Sequence, residues 1–101
     1  MSQFENAVTL DMSCTERELW RWLDELIARL YPMRQREQSL AEFQVDGGLA
    51  RIHWEPLPDR VIALVRLKRL AVSIGFEAGV PGAERDEFVR QFRLHTLRGG
   101  G

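Results

Sequence analysis

The chain is 101 residues long, 45% apolar and 29% charged, which suits one hydrophobic core and lies far from the composition of disordered chains. A formal net charge of −1 is too close to neutral to argue for nucleic acid or anionic membrane as a general partner, and a single cysteine, Cys14, excludes an internal disulfide. The opening MSQFENAVTLDM lacks the basic and apolar regions of a signal peptide, and no apolar run nears the ~18 residues of a bilayer span.

These features predict a cytoplasmic single domain over residues 1–98, with a flexible glycine tail at 99–101 and no membrane partner. Charge is unevenly divided along it. Residues 1–50 hold five Arg against nine acids, a balance of −4, while residues 51–101 hold eight Arg and one Lys against six acids, a balance of +3. That asymmetry permits self-association through opposite faces.

Residues 4–12 alternate as a strand, with Val8, Leu10 and Met12 on one side. Ser13 with Glu16, or Thr15 with Glu18, then offers a capping box, and Pro32 closes a helix predicted from about Thr15 to Tyr31. Its apolar stripe is Leu19, Leu23, Leu26, Ile27 and Leu30, bordered by Trp22 on one side and by Trp20 and Tyr31 on the other. A stripe that wide calls for more than one packing neighbour.

Residues 33–39, MRQREQS, show no periodicity and are expected to be a loop. From Leu40 the period becomes two, with Ala41, Phe43 and Val45 inward. With Gly47-Gly48 as the hairpin turn, Val45 is expected to pair with Ala50, Phe43 with Ile52, Ala41 with Trp54 and Glu42 with His53. Pro56-Leu57-Pro58-Asp59 is expected to end that ladder and turn the chain.

Residues 60–76 are strand-like throughout, too long for one ordinary strand, and their parity slips at Lys68-Arg69, where either a tight turn or a β-bulge is expected. Gly79 to Gly82 reads as a turn, followed by a final helix over Ala83 to about Leu97. The order β-α-β-β-β(-β)-α predicts an α+β two-layer sandwich, a mainly antiparallel sheet of four or five strands with two helices on one face.

Function is less legible. His53 beside Glu42 is the best catalytic pair, because a carboxylate can orient an imidazole as general base, yet solvent-facing alternation produces such pairs without catalysis. Cys14 lies by a helix N-terminus, where a thiol pKa can fall, but no second cysteine or histidine stands at an indicative spacing. Neither a metal site nor a cofactor is expected.

Gly79-Val80-Pro81-Gly82 resembles in wording the phosphate-gripping GxxG loop of KH domains, but it joins a strand to a helix and is followed by Glu84, Asp86 and Glu87. Leu97-Arg98-Gly99-Gly100 resembles the tail of ubiquitin-like modifiers, here entered from a helix, so a helix cap and frayed end explain it more simply. The expected role is therefore non-catalytic, a protein-interaction or self-associating module with Trp20, Trp22, Ile62 and Leu64 as contacts. The alternative is a nucleic-acid-binding patch of Arg66, Lys68, Arg69, Arg90 and Arg93, and a small enzyme using His53 and Glu42 comes third.

Overall fold

The computed structural model describes residues 3–100, with side chains described through Thr96. Strand β1 (Phe4–Met12) leads into helix α1, which comprises an α-helical stretch (Glu16–Trp22), a π-helical turn (Leu23–Ile27) and a last α-helical turn (Ala28–Leu30). Strands β2 (Met33–Glu37), β3 (Leu40–Val45), β4 (Gly48–Ile62) and β5 (Val65–Glu77) follow, and helix α2 (Gly82–Gly100) ends the chain. The five strands form one antiparallel sheet in the order β1-β5-β4-β3-β2, so the two-layer α+β architecture expected from the sequence is the one observed.

Helix α1 starts where its capping chemistry places it. The Thr15 hydroxyl accepts from the Glu18 amide at 3.1 Å, and the Glu18 carboxylate accepts from the Thr15 amide at 2.8 Å, satisfying both orphan donors. Leu19, Trp22, Leu23 and Ile27 face the sheet and are buried. Leu30, expected in the same stripe, is exposed. The π-helical turn, closed by the Ala28 amide on the Leu23 carbonyl, inserts one residue and advances the phase, so that Tyr31 instead reaches the core and packs on Phe88.

MRQRE is strand β2, not a loop. It pairs with β3 through a two-residue turn at Gln38-Ser39, with Ser39 at φ +64°. Period two fails there because β2 is an edge strand with four of its five residues exposed, so nothing selects an apolar face.

The β3–β4 hairpin keeps the expected faces and differs in register. The two turn residues are Asp46-Gly47, with Gly47 at φ +89°, and Gly48 is already the first strand residue. Phe43 therefore pairs with Ala50, Ala41 with Ile52 and Glu42 with Arg51. A shift of two residues preserves parity, which is why Phe43, Ile52 and Trp54 remain buried beneath the helices.

Pro56 and Pro58 do not end β4. The Trp54 amide points at the Ser39 carbonyl, 3.2 Å away, and amides two apart point the same way, so residues 56 and 58 have their missing N–H on the side that β3 has vacated. The bulge falls here, between Leu57 and Arg60, and not at Lys68-Arg69, which lie in unbroken β5. The hairpin reverses at Ala63-Leu64, where Ala63 takes φ +54°. Helix α2 contributes Phe88 and Phe92 to the core and runs to Gly100, beyond the expected end at Leu97; Gly101 of the expected tail lies outside the described residues.

Candidate docking arm

Beyond His53 on one side and Leu70 on the other, β4 and β5 have no neighbouring strand, because β3 begins pairing at Leu40 and β1 ends at Met12. What remains is a two-stranded arm that lengthens the molecule to 47 Å against cross-dimensions of 29 and 24 Å. Its rungs, counted from the tip, are Ile62 with Val65, Val61 with Arg66, and Arg60 with Leu67. Leu64 in the turn is 100% exposed, and Val61, Ile62 and Val65 are 57%, 54% and 56% exposed.

Ion pairs hold the arm's root. Arg69 pairs with Asp11 of β1 and also donates to the Pro58 carbonyl at 3.1 Å, so one guanidinium ties the bulge to the body of the sheet. That guanidinium beside Asp11 holds its carboxyl below the usual carboxylate range. Farther out, Asp59 lies 3.9 Å from Arg66 and 3.6 Å from Lys68. Between the root and the start of α1 is a cavity of about 220 Å³, bordered by Cys14, Pro56, Leu57, Asp59, Lys68 and Leu70.

The contact residues expected from the sequence divide. Ile62 and Leu64 sit together at the arm's end, whereas Trp22 is 5% exposed and belongs to the core. Trp20 packs edge-on against Trp54 at 5.0 Å with the Arg36 guanidinium 3.8 Å over its ring. The tryptophans brace α1 against the sheet, and the Trp54 indole donates to Glu16 at 2.8 Å in the same cluster.

The basic residues also divide. Arg66, Lys68 and Arg69 are on the arm and face the carboxylates just named. Arg90 pairs with Glu87 on α2, and Arg93 borders a groove of about 360 Å³ between α2 and Ala7-Val8 of β1, which Asp86 also lines. No described ion pair or groove joins the two groups. The His53–Glu42 pair is not assembled: His53 lies opposite Leu40 and Ser73, while Glu42 is buried under Arg51, whose guanidinium donates to it at 2.6 and 2.8 Å and stacks on Phe4.

Cys14 is buried, and that burial pushes its thiol up to about 11, the reverse of what the start of a helix alone does to a thiol. Ellman's reagent at pH 8 is therefore expected to label native Cys14 only as fast as the protein opens, and labelling within seconds would contradict its burial. Because the folded thiol holds its proton more tightly than the unfolded one, its contribution to stability is complete below pH 9 and is lost as pH rises towards 11.

Among the described residues no cluster of His, Cys, Asp and Glu could hold a metal ion, and no helix is long and apolar enough to cross a membrane. No family model, curated protein or solved structure matches the chain. Sequence patterning missed Val61, Val65 and Arg60 as parts of the arm. The signal was present in the mixed apolar and basic run from Arg60 to Arg69, which fits no half-buried strand.

Proposed function

We propose that the chain is a non-catalytic interaction module whose contact element is the β4–β5 arm. One observation carries this reading: four aliphatic side chains collect at the end of a projecting ribbon, where neither helix reaches them. Scattered apolar side chains are normal on a protein surface, but a contiguous group at an extremity marks a contact surface. An isolated two-stranded ribbon is also only marginally stable in water, so an arm of this kind gains from a second surface.

Nucleic-acid binding by the five basic residues has less support, since their positions divide between two surfaces. Catalysis by His53 lacks its expected carboxylate partner.

The test is retention of the full chain on a phenyl resin with and without Leu64→Asp. Leu64 makes no core contact, so the variant is expected to keep the wild-type melting temperature and to elute markedly earlier. Unchanged retention would place the adhesive surface elsewhere and end this reading.

A further inference from the structure

We infer that the arm's tip inserts into the interfacial layer of a bilayer containing anionic phospholipid. The inference rests on the docking reading above and names what the arm docks on. Three features of the arm separate this occupant from a protein.

The first is the distribution of apolar side chains around the tip. Cross-strand partners share a face, so Ile62 and Val65 lie on one face of the ribbon, Val61 lies on the other, and Leu64 caps the turn. Flat packing against another protein would leave one face wet. A fluid medium surrounds both.

The second is the ladder of polarity. The outermost rung is purely aliphatic, and basic residues enter at the next two rungs as Arg66 and Arg60, with Lys68 behind them. At ~3.4 Å per residue the apolar end is about 7 Å deep, which matches the roughly 5–10 Å to which interfacial elements bury their apolar faces. Arg60, Arg66 and Lys68 then stand at the level of lipid phosphates, with Asp59 beside Arg66 and Lys68, Glu18 bordering the same groove as those two, and Asp11 within electrostatic range of Arg60. The Asp59 contacts, at 3.6 and 3.9 Å and with exposed partners, are of the loose kind that phosphate oxygens displace.

The third is what the arm discourages. Pro56 and Pro58 remove amides from the free edge of β4, and Arg66 and Lys68 charge the outer part of β5, so addition of another strand to either edge is disfavoured.

The experiment uses the full chain with sucrose-loaded vesicles of phosphatidylcholine alone and of phosphatidylcholine and phosphatidylserine in a three-to-one mixture. Wild type is expected to sediment with the mixed vesicles at low salt and at least tenfold less with the neutral ones. Leu64→Asp is expected to weaken binding to the mixed vesicles at least tenfold, and Arg66→Glu with Lys68→Glu to abolish the preference for phosphatidylserine. An environment-sensitive dye on Leu64→Cys, which buried Cys14 leaves as the reactive thiol, is expected to brighten on binding.

Absence of binding to either vesicle, or binding without brightening, overturns the inference. If phenyl-resin retention still depends on Leu64, docking by the arm survives that result, and a sedimentation coefficient that rises with protein concentration then identifies a second copy as the occupant. Equal binding to both vesicles overturns the role of the basic residues.

Discussion

Phe88→Ala is expected to lower the free energy of unfolding by about 3 to 5 kcal/mol, read as a shift of the urea midpoint at constant slope. The ring is fully buried and meets Tyr31 at 4.9 Å, Phe76 edge-on at 5.7 Å and Phe43 at 6.0 Å. Those contacts join α2 to the end of α1, to β3 and to β5, so the cavity left by truncation has walls from four elements and none can close it alone. For a domain whose whole stability is of the order of 5 to 15 kcal/mol, this is a large fraction. A loss below about 1 kcal/mol would mean that α2 does not pack on the sheet as described.

Gly47→Ala is expected to cost about 2 to 3 kcal/mol through two causes acting at one carbon. The residue sits at φ +89°, which an L side chain resists, and an added Cβ would lie 2.6 Å from the Gly79 carbonyl oxygen and 2.9 Å from the Pro81 ring. Relief is blocked because both obstacles belong to the backbone and proline of the β5–α2 turn. Gly82 is the control: a Cβ there meets nothing within 4 Å, and Gly82→Ala is expected to change stability by no more than about 0.5 kcal/mol. Equal losses at the two sites would refute the close approach of the turns.

Parity was the most legible property of the chain. Alternation from Leu40 to Trp54 identified the buried face, and that face survives although the turn moved from Gly47-Gly48 to Asp46-Gly47, because a two-residue shift returns every side chain to its own side. Three features left no local trace. Strand β2 carries an edge strand's polar residues, the prolines of β4 are harmless only because β3 stops at Leu40, and the Ala63-Leu64 turn uses a non-glycine residue at φ +54° without turn chemistry.

The site was half legible for a related reason. Ile62 and Leu64 stood out because apolar residues on both faces of a strand need two covers. Trp20 and Trp22 looked surplus on a helical wheel, yet Trp54 and the core receive them. An apolar hairpin tip escapes any search for long apolar runs, since it supplies its surface from both strands at once.

The position of β1 beside β5 has a consequence for synthesis. Thr9 meets Ser73, 64 positions farther along the chain, and among the described residues β5 is the only strand that β1 pairs with. Strand β1 therefore waits for a segment more than sixty positions farther along, while the β2–β3 and β3–β4 hairpins need only adjacent segments. The apolar stripe of α1 waits with it, so the nascent stretch of β1 and α1 is where a holding chaperone has the most to cover.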